Sequence, residues 1–262
     1  MIKLIASDLD GTLLLNGAQS LQENTCELIH RLYAEKGIRF VSASGRQYDN
    51  QRRLFAPVAD EIAYICENGC LSFCDGEMLH QELMDRELGQ EIMRDILSRP
   101  GEEILLSGIH TSYLMPKEPS YVTHMRDVVR NNVTVVKDIF ATEEPYFKIS
   151  VYAREGIDSH AKYWMDTYRD RVHVVTSGNA WLDMMPKHVN KRTGLEKILN
   201  RLGIAPDECV AFGDNFNDLE MLEYAGIPVT MDTAVKQIHD MCERHTDTVE
   251  NGLLEILNGT FM

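Results

Sequence analysis

Residues 8–13 read Asp-Leu-Asp-Gly-Thr-Leu and follow an apolar run at residues 2–7. Two carboxylates at the point where a buried strand runs out can divide one reaction between them. One attacks phosphorus to give an aspartyl-phosphate, and the other moves a proton to or from the oxygen that leaves. Gly11 lets the backbone turn sharply behind them. Other apolar runs end in a similar way. "IRFVSA" closes on Ser44-Gly45-Arg46, and "ECVAFGD" closes on Asp214-Asn215, with Asn217 and Asp218 close behind. Lys191 opens a helical stretch just before that second strand. In an open parallel sheet, ligands bind at the carboxyl ends of the strands. Brought together there, these residues supply several carboxylates, a hydroxyl, an ammonium and N–H groups. Carboxylate oxygens suit a hard cation such as Mg²⁺. The cation, the lysine and the N–H groups suit the equatorial oxygens of a phosphoryl group in transfer.

The elements that must position these residues follow from periodicity. "IKLIAS", "IRFVSA" and "IAYIC" are short, nearly continuous apolar runs, as strands buried on both faces are. A helix lies between the first two, with a Ser20–Glu23 capping box at its start and Gly37 at its end. A shorter helix runs through Leu54 and stops at Pro57. Strand and helix alternating in this way predict right-handed crossovers and a parallel sheet. Asp75-Gly76 then predicts a type I′ hairpin. From residue 83 to 186 the pattern changes to several short strands with helices at 85–98, 121–130 and 159–168, an α+β unit of its own. The opening style resumes with a helix over 192–202, "ECVAFGD", a helix over 219–224, "IPVTM" and a helix over 251–257. The fold class is therefore α/β, a Rossmann-like parallel-sheet core formed by residues 1–82 and 187–262, with an α+β cap inserted at 83–186.

Composition narrows the function classes. The chain has 262 residues, is 44% hydrophobic and carries a formal net charge of −15. Such a charge gives no broad attraction to nucleic acid or to an anionic membrane, so neither is expected as a partner. It also repels an anionic substrate unless a bound cation offsets it locally. The sequence shows no stretch long enough to span a bilayer and no signal-peptide pattern at its start. Its six cysteines read as reduced core thiols. Cys66, Cys70 and Cys74 lack the paired spacing of a zinc site. A cytoplasmic protein is expected. The nine histidines form no H-x-E or H-E-x-x-H pattern, which argues against a zinc hydrolase. Trp164, Trp181 and the Met-rich "DMMP" read as packing groups.

DLDGTL, SASGR, Lys191 and GDNFNDLEML occur in the order found in the haloacid dehalogenase superfamily. The chain resembles the Cof-type phosphatases of its subfamily IIB, which insert an α/β cap between the second and third motifs. The resemblance spans nearly the whole chain and implies a role for each matching position. Asp8 matches the nucleophile and a metal ligand. Asp10 matches the general acid/base, with its backbone carbonyl as a second metal ligand. Asp214 matches the third metal ligand, and Asp218 an acid that supports the metal. Ser44, Lys191 and Asn217 match phosphate-binding groups. Thr12, Gly45, Arg46 and Asn68 lie in matching stretches, with no direct role assigned to them. The implied activity is a Mg²⁺-dependent phosphatase acting on a small-molecule phosphate ester, sugar phosphates first and cofactor phosphates next.

Departures from the family pattern are Ser44 in place of a threonine, Asn190 and Arg192 beside the lysine, and Met231-Asp232-Thr233-Ala234 in place of Gly-Asn-Ala. Each site residue also has a plainer reading by itself. Asp10-Gly11 is turn chemistry, Ser44 a helix N-cap, Lys191 an exposed helix lysine, and Asn215 and Asn217 turn or cap residues. Asp218 is a favourable charge at a helix N-terminus. It is their joint occurrence that favours a site. A phosphomutase on the same scaffold, or a non-catalytic ligand-binding or regulatory protein, uses the same residues and stays open.

Overall fold

The computed structural model describes residues 1–177 and 179–261. The chain opens with β1 (Leu4–Ser7), α1 (Thr25–Lys36), β2 (Arg39–Ala43), α2 (Tyr48–Leu54), β3 (Ala63–Cys66), β4 (Leu71–Cys74) and β5 (Glu77–Gln81). Next come α3 (Arg86–Ser98), β6 (Glu102–Gly108), β7 (Ser112–Leu114), α4 (Pro119–Thr123), β8 (Val133–Val135), β9 (Tyr146–Ala153), α5 (Asp158–Tyr168), β10 (Val172–Thr176) and β11 (Trp181–Pro186). It closes with α6 (Lys191–Leu202), β12 (Cys209–Gly213), α7 (Leu219–Tyr224), β13 (Ile227–Met231), α8 (Lys236–His239), β14 (His245–Thr246) and α9 (Val249–Asn258). Two compact units result: Met1–His80 with Asn190–Met262, and Gln81–Val189.

The first unit is built on an eight-stranded sheet in the order β14-β13-β12-β1-β2-β3-β4-β5. Its strands from β14 to β3 are parallel, and β4 turns antiparallel to β3. The apolar runs are buried on both faces. Leu4, Ala6, Val41, Ala43 and Ala211 pack with Leu195 and Ile198 of α6 and Met221 and Leu222 of α7. On the other face the Phe212 ring lies against Gly252 of α9. β1 is central, with β2 on one side and β12, far along the chain, on the other. The strand order reverses there, which is where such sheets leave a crevice at their carboxyl ends.

The second unit is a six-stranded sheet in the order β10-β11-β9-β6-β7-β8, antiparallel except for the β7–β8 pair. α3 and α5 cover one face, where Ile92, Ile96, Trp164 and Tyr168 pack on Ile104, Ile149, Val151 and Met184. Trp164 is fully buried, and its Nε1 donates to Glu102 (3.1 Å). Trp181 packs at 4.8 Å on Tyr152.

Several local expectations change. The Ser20–Glu23 capping box does not open α1, which starts at Thr25 behind Asn24. The Thr25 hydroxyl bonds the buried Glu250 of α9, and Gln22 reaches the same carboxylate (3.1 Å). That long-range contact, absent from any local window, accompanies the later start. The helix expected over 121–130 is α4, opened by Pro119, followed by a π-helical turn at His124–Val128. The Asp75-Gly76 hairpin is present, with φ of 53° and 77° as a type I′ turn requires. The six cysteines are free thiols. Among the described residues, no helix is long and apolar enough to cross a membrane.

Candidate active site

β1 carries its ladder one residue past its end, because the Asp8 N–H donates to the Phe212 carbonyl (3.0 Å). This sets Asp8 beside the loop that leaves β12. Lys191 arrives from α6. Asn190 caps that helix, its side chain accepting from the Thr193 N–H (3.1 Å) while the Thr193 hydroxyl completes a capping box. The Lys191 side chain is fully buried, and its Nζ donates to Asp8 Oδ1 (2.5 Å) and Asp218 Oδ1 (2.6 Å). Asp218 Oδ2 accepts the N–H groups of Asp214 (3.0 Å) and Asn215 (3.1 Å), which folds the loop after β12 back on itself. Thr12 Oγ1 donates to Asp214 Oδ1 (2.9 Å). Gly11 sits at φ 99°, and a Cβ there would run into the Asp214 carboxylate. One oxygen from each of Asp8, Asp214 and Asp218 lies within 4.8 Å of the others.

Charge is crowded in this cluster. Burial lifts the Asp8 carboxyl well above its ordinary 3.8, and Asp218 lifts it further against the pull of Lys191. Asp214 is pushed up to about 6 by burial and then by Asp218, with the Thr12 hydrogen bond and Lys191 opposing. Burial works against the Lys191 ammonium, but Asp218 and Asp8 outweigh it and raise its pKa, so the lysine stays charged. Three carboxylates around one ammonium leave an excess of negative charge. Their donors are all oxygens, close together and largely buried. That set fits a hard divalent cation, with Asp8 and Asp214 as candidate ligands. Both Asp218 oxygens already hold Lys191 and two backbone N–H groups, so Asp218 braces the others.

Asp10, Ser44 and Asn217 complete the set expected from sequence. Arg46 grips Asp10 as a fork, Nε to Oδ2 at 2.8 Å and Nη2 to Oδ1 at 2.5 Å. Ser44 follows the end of β2, and its Oγ accepts the Arg46 N–H (3.2 Å). It does not cap α2, whose N-cap is Gln47. Gln51 fastens this loop by donating to the carbonyls of Arg46 (3.2 Å) and Ile65 (3.0 Å). Asn217 Nδ2 donates to Asn68 Oδ1 (3.3 Å). Thus Asp8, Lys191, Asp214 and Asp218 meet directly, while Asp10, Ser44 and Asn217 join through Arg46 and Asn68. Sequence reasoning gave Thr12, Arg46 and Asn68 no role. A basic residue two after Ser44, and an Asn-Gly at a strand end, were the available signals.

The departures resolve locally. Asn190 is the α6 cap, and Arg192 stacks on the Tyr224 ring (4.7 Å). Asp232 is exposed and lines an open surface depression with His245, Asp247 and Asn251, beside β14 and α9. Val235 N–H donates to the Asp214 carbonyl (2.9 Å), which ties the divergent segment to the loop after β12.

A profile of haloacid dehalogenase-like hydrolases matches residues 5–257. The chain belongs to this family. The haloacid dehalogenase-like hydrolase is 30% identical over 234 residues to the 5-amino-6-(5-phospho-D-ribitylamino)uracil phosphatase YbjI of Escherichia coli, covering 89% of this chain and 86% of that one. The solved structure of SMU.1108c from Streptococcus mutans superposes with a TM-score of 0.87 at 26% identity, over 99% of this chain and 98% of that one. A subclass IIB sugar phosphatase shares the fold at 20% identity, with a TM-score of 0.83 over 99% of this chain and 100% of that one. The haloacid dehalogenase-like hydrolase is an enzyme of the phosphoric monoester class.

Proposed function

We propose that the protein is a Mg²⁺-dependent phosphatase of small phosphorylated metabolites, working through an aspartyl-phosphate. The observation that carries this is the fully buried Lys191 ammonium held between Asp8 and Asp218, with Asp214 alongside, at the point where the strand order reverses. A chain does not bury that much charge for stability, because desolvation offsets most of the Coulombic gain.

In this reading, an Asp8 oxygen attacks phosphorus as the bond to the leaving oxygen breaks. Asp10, released from the Arg46 fork that holds both its oxygens and protonated, gives that oxygen its proton. Asp10 then takes a proton from water, which attacks phosphorus and cleaves the acyl phosphate to release inorganic phosphate and the free Asp8 carboxylate. Lys191 and the Ser44 hydroxyl hold the phosphoryl oxygens, with the Asn217 amide beside them. Asp8, Asp214 and the Asp10 carbonyl would hold Mg²⁺, and Asp218 would brace them. A bound Mg²⁺ would offset the carboxylate charge and draw charge from the phosphoryl oxygens. The substrate class is sugar phosphates first, then cofactor phosphates. The E. coli relative, named for a phosphorylated ribitylamino compound, supports a polyhydroxylated ester.

The test is release of inorganic phosphate from a panel of small phosphate esters in Mg²⁺. Asp8→Asn keeps an acceptor for Lys191 and should abolish turnover of p-nitrophenyl phosphate with the fold intact. Near-normal turnover in that variant would refute the mechanism. Phosphate returned to the substrate rather than released over many turnovers would point to a mutase.

A further inference from the structure

β3 is followed by Glu67-Asn68-Gly69, three consecutive residues with positive φ of 51°, 55° and 106°. Two of them are not glycine. Such backbone persists where the surroundings over-determine it, and asparagine tolerates the left-handed region better than most. Here the surroundings are the loops that carry the phosphate-side groups. The Glu67 N–H donates to the Arg46 carbonyl (3.2 Å), and the Asn68 N–H donates to the Ser44 carbonyl (3.0 Å). Asn68 Oδ1 accepts from Asn217 Nδ2 (3.3 Å). The Asn68 amide also covers Gly45, where an added Cβ would come within 3.1 Å of it. Gly69 abuts the carbonyl of Asn190, the residue before Lys191. Asn68 itself is 1% exposed.

We infer that Asn68 is a positioning residue that ties Ser44 to Asn217 and so fixes two of the three groups set around the phosphoryl oxygens; the inference rests on the phosphatase reading above. Ser44 follows β2 and Asn217 follows β12, with β1 between those strands. β2 and β12 are not neighbours in the sheet. The Asn68 main chain holds one and its side chain holds the other. Side chains already fixed pay no ordering cost when a phosphate binds, which is worth about two- to tenfold in affinity for each side chain held.

Asn68→Gly tests this, because glycine keeps the left-handed backbone and removes the amide. Wild type and variant are compared in Mg²⁺ for p-nitrophenyl phosphate turnover and for competitive inhibition by inorganic phosphate. KM and the inhibition constant for phosphate should both rise, up to roughly tenfold, with kcat changing less than KM. Asn217→Ala should show a similar rise, and the double variant no more than the larger single effect, since the two side chains act as one unit. An unchanged KM and inhibition constant in Asn68→Gly, or additive effects in the double variant, would overturn the inference. Should Asn68→Gly not fold, Asn68→Ala carries the test. It removes the acceptor of the Asn217 amide, so an unchanged phosphate inhibition constant overturns the inference. If wild type hydrolyses no ester, the phosphatase reading fails instead. Calorimetric binding of inorganic phosphate to the same variants then decides the role of Asn68 separately.

Discussion

Asp214→Asn should make the metal-free protein more stable at neutral pH, and the magnitude follows from the site. The Asp214 carboxyl stands at about 6 in the folded chain against an ordinary 3.8. Between those values the folded state binds more protons than the unfolded one. Stability is therefore complete below about pH 4 and is lost as the pH rises through about 6. At about 1.4 kcal/mol per pH unit, the loss reaches about 3 kcal/mol by pH 7–8. Asparagine removes the titrating charge while its Oδ1 still accepts from Thr12. Relief of repulsion on Asp8 acts in the same direction. For a chain of this size, about 3 kcal/mol corresponds to about 6–12 °C in thermal midpoint. The assay is thermal unfolding of wild type and Asp214→Asn in EDTA from pH 4 to 8. The variant should match wild type at pH 4 and exceed it by several degrees at pH 8. Added Mg²⁺ should then stabilise wild type by about 2.7 kcal/mol at a hundredfold excess over its dissociation constant, raising its midpoint, and stabilise the variant less. Parallel pH curves for the two proteins, or a variant that falls below wild type as the pH rises, would refute the reasoning.

Lys191→Met leaves Asp8 and Asp218 buried without their counter-charge, which should cost about 3–5 kcal/mol at pH 8. Because burial already lifts the Asp8 carboxyl, Asp8 can protonate once the lysine is gone, and the loss should shrink at pH 5; denaturation at the two pH values checks this, and an equal loss at both contradicts it. Gly11→Ala forces a side chain onto φ 99° and into the Asp214 carboxylate. It should destabilise by more than about 1 kcal/mol and raise the Mg²⁺ concentration that half-saturates turnover. A Mg²⁺ titration with an unchanged midpoint would rule that out.

Much of the fold was legible because its signals are local. The runs before Asp8, Ser44 and Asp214 are apolar on both faces, as strands covered by helices must be, and Asp75-Gly76 announces its own turn. The start of α1 is not local in this way: it lies at Thr25, which with Gln22 meets Glu250, more than two hundred residues away. The same distinction divides the site. The sequence by itself determined the kind of chemistry, because Asp8, Asp10, Ser44, Lys191 and Asp214 are the residue types that phosphoryl transfer uses, each near the end of an element. Only the tertiary structure decided how they hold one another. Arg46 gripping Asp10, Thr12 holding Asp214, and Asn68 spanning from Ser44 to Asn217 each join residues from the loops that follow different strands. Their geometry comes from sheet order and register, with β12 set beside β1, and no local spacing encodes that.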